Sequence, residues 1–337
     1  MGGEGNPILA VRGLFHEFPA RAGGGGKGRI QALRGVDLNL YAGECLALVG
    51  ESGSGKTTLA RALLRLISPS GGSVLFKGSD VLRMTGPELQ DFRRKVQIIF
   101  QDPFGSLNPR LRAGPMVEEV LQVHGRGGNS GERKKRVEEL LSLVGLPSVA
   151  AGRYPHEFSG GQRQRLGIAR ALAVEPELLV MDEHVSALDL SVQAQILVLL
   201  RELQESLKLT YLFVTHDLSV VRHVAERVAV LYLGRVVEHG PTASLFDDPL
   251  HPYTKGLLAA ADPWGAVGGV GAEGPGWGLL PGEAASPLDP PTGCALHPRC
   301  PHPSKDQECQ TKIPFLEGGG GVRQVACWQV GKHPADT

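Results

Sequence analysis

The segment GESGSGKTT at residues 50–58 constrains the fold of this chain more than any other feature. It matches the pattern G-x-x-x-x-G-K-[ST], a loop in which glycines allow backbone N–H groups to surround phosphate while a lysine and a hydroxyl complete the site. Residues 44–49 (ECLALV) predict a short buried strand, and residues 57–67 (TTLARALLRLI) carry apolar side chains at helical spacing. A strand, this loop and a helix in succession predict a nucleotide site in which Lys56 and Thr57 carry the chemistry.

The charge balance and the hydropathy of the chain argue against nucleic-acid binding and against a membrane-spanning segment. The 337 residues include 35 Lys plus Arg and 35 Asp plus Glu, so the chain lacks the net basic field that favours binding to nucleic acid. No apolar run approaches the length of a membrane-spanning helix, and the N-terminal residues have neither the basic nor the apolar part of a secretory signal. We therefore expect two or three domains in the cytoplasm and no membrane span within the chain.

Strands and helices alternate from residue 8 to about residue 240, which predicts an α/β domain of P-loop type with a largely parallel sheet. Further strands are predicted at residues 96–100, 178–181, 211–215 and 228–233. Parallel sheets bind ligands beyond the carboxyl ends of their strands. We therefore expect four side chains to meet at this edge of the sheet: Gln101, Asp182, Glu183 and His216. Residues 102–158 are charged and helical in pattern, which predicts an inserted helical subdomain.

Several short motifs follow the phosphate loop in a specific order. Gln101 ends a predicted strand, SGGQ occupies residues 159–162, LLVMDE ends in Asp182 and Glu183, SALD occupies residues 186–189, and His216 follows another strand. In this order the motifs resemble those of the ATP-binding-cassette ATPases, over nearly the whole chain. The resemblance implies a P-loop cassette with a RecA-like core and a helical subdomain at about residues 102–162. It also implies that two cassettes close head to tail, with each ATP between the phosphate loop of one and the SGGQ signature of the other.

The resemblance assigns a role to each motif. Thr57 would ligate magnesium directly, Asp182 would hold it through water, and Gln101 would sense the ion or position the attacking water. Glu183 would polarise that water and His216 would hydrogen-bond the γ-phosphate, so the implied catalytic residues are Glu183, His216 and Gln101. Magnesium is thus assigned to Thr57, Gln101 and Asp182.

The remaining ATP contacts follow from the same resemblance. Phe18 occupies the position of the aromatic residue that stacks on adenine, although Phe15 and Phe18 could equally be core residues. The signature precedes a helix predicted over residues 162–174, which would direct N–H groups and a positive dipole end towards phosphate. Asp189 would couple the two sites. The full predicted set is Phe18, Gly50, Glu51, Ser52, Gly53, Ser54, Gly55, Lys56, Thr57, Thr58, Ser159, Gly160, Gly161, Gln162 and Asp189.

One segment departs from the family pattern. Relatives usually read DEPTSALD, whereas this chain has His184 and Val185 in place of the Pro and Thr. The predicted pair Asp182 and Glu183 is intact, but the turn that joins it to the SALD motif is altered. We predict preserved hydrolysis with a changed rate or coupling between sites.

The C-terminal part carries two further signals. Residues 251–260 (HPYTKGLLAA) resemble the start of the C-terminal extension of ATPases from dipeptide and oligopeptide importers. Downstream, four of the five cysteines follow the spacing C-x5-C-x8-C-x17-C. Cytoplasmic thiols stay reduced, so metal is favoured over disulfides. By resemblance Cys294, Cys300, Cys309 and Cys327 would hold a 4Fe-4S cluster; a zinc site and no metal at all are the alternatives. The fifth cysteine, Cys45, is predicted to lie in the core.

These patterns together predict an ATP-hydrolysing subunit that energises a dipeptide or oligopeptide importer and resembles its second, F-type, ATPase. The implied partners are a second cassette ATPase in a heterodimer, two transmembrane permease subunits and an extracytoplasmic solute-binding protein, at the cytoplasmic face of the membrane. An importer of nickel or another small solute, a binding-only cassette and a soluble cassette clamp on ribosomes or DNA are the alternatives. The predicted domains are residues 1–245 (nucleotide-binding), 246–285 (linker with the HPY segment) and 286–337 (cysteine-rich extension).

Overall fold

A computed structural model describes residues 5–21, 27–100, 105, 107–182, 189–261, 280–318 and 323–330. The chain divides into two compact units, one comprising Met1–Leu82 with Val214–Thr337 and the other Arg83–Phe213. The domain bounds expected from the sequence stay a prediction. Gln101, Glu183, His184 and Val185 lie outside the described residues.

The first unit begins with two long strands and the phosphate-loop strand. In chain order its elements are β1 (Leu9–Arg21), β2 (Lys27–Leu40), β3 (Cys45–Val49), α1 (Lys56–Leu63), β4 (Gly71–Phe76) and β5 (Ser79–Asp80). Four of these strands form an antiparallel sheet in the order β2-β1-β4-β5. The sequence pattern did not separate this sheet from the parallel one, because bulges between Val11 and Leu14 and between His16 and Glu17 interrupt the alternation along β1.

Strand β3 and helix α1 flank the phosphate loop as the sequence predicts. All residues of β3 are buried, as expected of a strand that is covered on both faces. Helix α1 ends at Leu63, four positions before the predicted end at residue 67. The backbone of Arg65 has a φ of 52° in the left-handed region, and this conformation stops the helix although the apolar spacing continues.

The second unit contains most of the described helical residues. Its elements are α2 (Gly86–Lys95), β6 (Val96–Ile99), α3 (Ala113–Val123), α4 (Ser130–Leu143), α5 (Gly160–Leu172), β7 (Leu178–Asp182), α6 (Leu190–Leu207) and β8 (Thr210–Thr215), with short 3₁₀ helices at Ser148–Gly152 and Pro155–Glu157. Strands β6 and β7 are parallel, and the order is β8-β7-β6. Of the described residues between 105 and 158, none is in a strand, which agrees with the helical character predicted there.

The chain returns to the first unit near the end of β8. The remaining elements are α7 (Leu218–Val224), β9 (Arg227–Tyr232), β10 (Arg235–Pro241), α8 (Thr242–Asp247), α9 (Pro252–Ala261), α10 (Gln307–Thr311) and β11 (Gln324–Val325). Strand β9 runs parallel to β3, β10 is antiparallel to β9, and β11 adds to the edge of β10. The phosphate-loop strand and the C-terminal segment therefore belong to one sheet, in the order β11-β10-β9-β3.

None of the helices within the described ranges has both the length and the apolar character needed to span a membrane.

Candidate nucleotide-binding site

The phosphate loop leaves β3 at residue 50 and enters α1 at Lys56. Gly55 has a φ of 108°, and a Cβ atom on it would approach the carbonyl oxygen of Ala32 to 2.4 Å, so only glycine fits this position. Of the described side chains, none caps the N-terminus of α1. Backbone N–H groups and the positive end of the helix dipole at such a terminus are suited to bind an anion.

Lys56 lies inside the loop rather than in solvent. Lys56 is buried, with only 5 % of the residue exposed. The Nζ atom donates to the carbonyl oxygens of Gly50 at 2.7 Å and Glu51 at 2.9 Å. The ammonium group is thus held beside the loop whose N–H groups would surround phosphate. Thr57, the predicted magnesium ligand, is half-buried at the next position.

Glu51 is held by two residues that the sequence analysis did not assign to this site. Its backbone N–H donates to the hydroxyl of Tyr253 at 2.8 Å. Its carboxylate accepts from Arg299, at 3.1 Å from Nη1 and 3.4 Å from Nη2. The HPY segment and the cysteine-rich segment were both recognised in the sequence, but no spacing indicates that they fold back onto residue 51.

The two other predicted site residues of the first unit, Phe18 and His216, belong to different parts of the fold. Phe18 is half-buried on β1, with its ring edge-on to His16 at a centroid distance of 4.5 Å. His216 is exposed directly after β8. It precedes Asp217, whose carboxylate accepts from the Ser219 N–H at 3.0 Å and so begins α7. The roles of Phe18 and His216 stay predictions.

The signature forms the N-terminus of α5. The helix begins at Gly160 and ends at Leu172, two residues before each predicted boundary. The Ser159 hydroxyl accepts from the Gln162 N–H at 3.3 Å, and the Gln162 side chain accepts from the Ser159 N–H at 3.1 Å. This reciprocal capping box explains why the helix starts within the signature. A Cβ atom on Gly161 would lie 2.4 Å from Cγ1 of Val192, so the signature packs tightly against α6.

Two acidic residues of the second unit stand at the ends of elements. Asp182 is the last residue of β7 and is 4 % exposed. Asp189 caps α6 by accepting from the Val192 N–H at 2.9 Å. The predicted water-polarising residue Glu183 and the predicted Gln101 lie outside the described residues, so their placement relative to Asp182 stays a prediction.

The HPY segment fastens the C-terminal part to β10. The carboxylate of Glu238, which is fully buried, accepts from the N–H groups of Leu250 and His251 at 2.9 Å each. The Nδ1 atom of His251 accepts from the Tyr253 N–H at 3.1 Å. Burial lowers the pKa of His251 to about 3, so the ring is neutral and can accept this bond. The buried ring of Tyr253 packs on Tyr232 with centroids 4.5 Å apart.

The four C-terminal cysteines are free thiols in the described chain, and the Cys294 N–H donates to the Cys309 carbonyl at 2.9 Å. Burial raises the pKa of Cys294 to about 12, and the charges of Cys327, Cys300 and Cys309 act in the same direction. Burial likewise raises the pKa of Cys300 and of Cys327. When no cation is bound to them, buried thiols of this kind favour the protonated form.

The donor chemistry suits a thiophilic metal, but the side chains are not assembled around a single ion. In the parts of the chain that the structure describes, no group of three or more His, Cys, Asp or Glu residues could hold a metal ion. The presence and identity of a metal at these cysteines therefore stay predictions.

Two parts of the sequence match known protein families. Residues 33–186 match the ABC transporter family. Residues 237–309 match the family described as the oligopeptide/dipeptide transporter, C-terminal region. The first match contains the phosphate loop and the signature, and the second contains Glu238, the HPY segment and Arg299.

Similar proteins cover nearly the full length of the chain. The oligopeptide transport ATP-binding protein AppF of Bacillus subtilis is 46 % identical, over 95 % of this chain and 96 % of that protein. The probable peptide ABC transporter ATP-binding protein y4tS of Sinorhizobium fredii is 47 % identical, over 95 % of this chain and 89 % of that protein.

Solved structures agree in fold. A dimeric structure of the ATP-binding cassette MJ0796, bound to ADP and phosphate, matches with a TM-score of 0.62 and 33 % identity over 70 % of this chain and 99 % of that one. The α/β P-loop cassette fold and the ATPase activity predicted from the sequence are thereby confirmed. This chain belongs to the ABC transporter ATPases that carry an oligopeptide/dipeptide transporter C-terminal region.

Proposed function

We propose that this ATPase energises the import of oligopeptides or dipeptides from the inner face of a cell membrane. The observation that carries the proposal is the match of residues 237–309 to the oligopeptide/dipeptide transporter C-terminal region. AppF and y4tS, which are similar over nearly the whole chain, are both named for peptide transport. Within this region Glu238, His251 and Tyr253 connect the extension to the sheet that carries the phosphate loop.

The transporter would contain permease subunits that span the membrane and a substrate-binding protein outside it. As an ABC ATPase, this chain would convert nucleotide chemistry into movement of these membrane partners. We further propose that the partner cassette is a second, related ATPase subunit and not a copy of this chain. The resemblance to the second ATPase of peptide importers supports this choice.

The residues would divide the work of hydrolysis as follows. Lys56 and the N–H groups at the start of α1 would hold the phosphates, while Thr57, Gln101 and Asp182 would hold magnesium. Glu183 would orient a water molecule for in-line attack on the γ-phosphorus, and the bond to the bridging oxygen of ADP would break. Most of the catalysis in such transfers is positioning and charge neutralisation. His216 would contact the γ-phosphate, and the partner's site would receive Ser159 and the N–H groups of Gly160 and Gly161.

Uptake assays test the transport proposal. Cells that depend on this chain should accumulate a labelled dipeptide or oligopeptide, and should lose this uptake when Glu183→Gln replaces the native residue. The variant should still bind ATP, because the carboxamide removes the role in positioning water and leaves Lys56 in place. The matched control is Lys134→Gln on the exposed face of α4. Loss of nickel uptake with normal peptide uptake would contradict the proposal and favour the metal-ion importer.

A native pull-down tests the assembly. The C-terminally tagged chain should co-purify from gently solubilised membranes with two permease chains and a second cassette ATPase. Recovery of a single cassette species would contradict the heterodimer. Recovery of ribosomes or of DNA-binding factors would contradict the importer itself.

We also propose that the four C-terminal cysteines hold a 4Fe-4S cluster. The charges of the other three cysteines act on Cys294, which supports a shared site, and burial raises the pKa of Cys294, Cys300 and Cys327, which supports a requirement for a cation to stabilise these thiolates. Cys294 donates its N–H to the Cys309 carbonyl at 2.9 Å, which ties two of the ligands together through the backbone.

Anaerobic purification tests the cluster. The native chain should contain iron and acid-labile sulfide, and Cys300→Ser should lose both. Cys45→Ala is the matched control, because Cys45 is a buried residue of β3 and not one of the proposed ligands. A folded native protein that contains zinc, or no metal, after anaerobic purification would contradict the cluster.

A further inference from the structure

Residues from the C-terminal part of the first unit form hydrogen bonds with the phosphate loop. Glu51 lies at the start of the loop, and its carbonyl oxygen accepts from Lys56 Nζ at 2.9 Å. The N–H of the same residue donates to Tyr253, and its carboxylate pairs with Arg299. One residue of the loop is therefore fixed at its N–H, its side chain and its carbonyl, and the last of these contacts is with the lysine that binds phosphate.

Tyr253 is a rigid support for this contact. The residue is fully buried, and its backbone N–H is held by His251, which is itself held by the carboxylate of Glu238. The ring packs on Tyr232 at the end of β9. Because each link is buried and hydrogen-bonded, the hydroxyl has little freedom to move away from Glu51.

Arg299 is an equally constrained support. Its Nε donates to the carbonyl oxygen of Pro281 at 3.1 Å, which orients the guanidinium. The two terminal nitrogens then face Glu51, and the arginine side chain is only 10 % exposed. A two-point contact of this type is charge-assisted and has a defined direction. Arg299 directly precedes Cys300, so the cysteine-rich segment supplies this support.

We propose that Tyr253 and Arg299 are positioning residues for ATP binding. They hold Glu51 in the conformation in which its carbonyl and that of Gly50 place the Lys56 ammonium group beside the phosphate position. A loop that is already ordered loses less conformational entropy when ATP binds, so these contacts increase affinity without touching the nucleotide. The proposal rests on the ATPase activity of the chain and not on peptide import or on the cluster.

A simpler function for the same contacts is to attach the C-terminal extension to the cassette. Both functions predict that removal of Arg299 lowers the melting temperature. Only the positioning role predicts weaker ATP binding in protein that is still fully folded. The affinity for MgATP, measured well below the melting temperature, therefore separates the two.

The experiment measures binding of MgATP to the full-length chain by titration calorimetry. We expect Arg299→Gln to raise the Kd about tenfold, because a charge-assisted contact is lost, and Tyr253→Phe to raise it about threefold, because one neutral hydrogen bond is lost. At saturating MgATP, kcat should stay within about twofold of the native value, because the loop is then ordered by the nucleotide. Lys312→Gln is the matched control, since it breaks an exposed ion pair with Glu308 in the same segment.

A double-mutant cycle assigns the effect to the contact itself. If Arg299 acts through Glu51, then Glu51→Gln combined with Arg299→Gln should weaken ATP binding no more than either change alone. Arg299→Lys should restore part of the affinity, because it retains the charge without the two-point geometry.

Unchanged ATP affinity in folded Arg299→Gln and Tyr253→Phe proteins would overturn the proposal and leave attachment as the only role. If Arg299→Gln does not fold, the nearly isosteric Tyr253→Phe decides the question, because its ring still fills the same space. Failure of peptide uptake in the native protein would contradict the proposed transport function but would not alter this result.

Discussion

Two helix N-termini in this protein are predicted to bind ATP phosphates, and they are stabilised in opposite ways. The start of α5 is capped by its own neighbours, since Ser159 and Gln162 exchange hydrogen bonds three positions apart. The start of α1 follows a glycine, and its loop is supported at Glu51 by residues 202 and 248 positions further along the chain. The signature can therefore form with its helix, whereas the phosphate loop depends on the folded C-terminal region. Changes at the two termini should accordingly have different consequences.

The largest difference should come from removal of the phosphate-loop lysine. Lys56→Ala should reduce ATP turnover by about two to three orders of magnitude, the range seen when a donor to a reacting oxyanion is lost. The cap of α5 should remain intact, because it involves neither Lys56 nor its loop. Steady-state ATPase assays on the purified transporter measure this effect, and Lys134→Ala on the exposed face of α4 serves as the control. Turnover within about tenfold of the native rate would contradict the assigned role.

A negative charge at Ser159, the N-cap of α5, distinguishes the capping role of this residue from a role in phosphate binding. Asp is as good an N-cap as Ser, so Ser159→Asp should leave the free energy of unfolding within about 0.5 kcal/mol of the native value. The carboxylate would, however, repel the γ-phosphate, and turnover should fall about a hundredfold. Ser159→Ala is the complementary control, with a loss of about 1 kcal/mol of stability. Native turnover in the Asp variant would show that this terminus does not face phosphate during hydrolysis.

Packing should make the signature sensitive to a single methyl group. Gly161→Ala would place a carbon 2.4 Å from Cγ1 of Val192, and we expect a destabilisation of about 1–3 kcal/mol from the forced shift. Gly167→Ala in the same helix is the matched control, because no described atom beyond the neighbouring helix backbone lies within 4 Å of the added carbon. That control should be stabilised by up to about 1 kcal/mol through better helix propensity. Urea denaturation measures both variants, and Val192→Ala should rescue the first. Equal effects of the two substitutions would contradict the tight contact.

Acid should destabilise the region around His251, which supports the phosphate loop through Tyr253. The pKa of His251 is lowered from its usual 6.5 to about 3, so below pH 6.5 the unfolded chain takes up a proton that the folded chain does not. This contribution to stability is fully present above pH 6.5 and is lost at up to about 1.4 kcal/mol per pH unit as the pH falls towards 3. Between pH 7.5 and 5.5 we therefore expect a loss of about 1.4 kcal/mol from this residue.

Denaturation at the two pH values measures that loss, and hydrogen exchange locates it. The Tyr253 N–H, which His251 accepts, should exchange faster at pH 5.5 after correction for intrinsic rates, while the Gln162 N–H should not. His251→Asn should reduce the pH dependence. The exposed His156→Gln is the control and should leave it unchanged. Identical pH dependence of native and His251→Asn proteins would contradict the assignment.

Local patterns predicted much of the fold. The continuous apolar runs of β3, β7 and β8 identified buried strands, because strands covered on both faces lose the alternation of polar residues. The sequence S-G-G-Q marked the start of α5 within two residues, because its capping box involves neighbouring residues only. The antiparallel sheet was missed, since bulges in β1 shift its register, and α1 was predicted too long, since Arg65 takes a left-handed conformation that apolar spacing does not reveal.

By itself, the sequence determined the order of the phosphate-binding motifs, the family of the chain and the helix termini that carry Lys56 and Ser159. These features depend on residue types at short, regular spacings, which reflect the periods of helix and strand. Only the tertiary structure decided that Glu51 is held by Tyr253 and Arg299, and that Glu238 fixes the HPY segment. Such contacts join residues far apart in the chain, and their formation depends on how the sheet places β3, β9 and β10 side by side. No pattern within a short window carries that information.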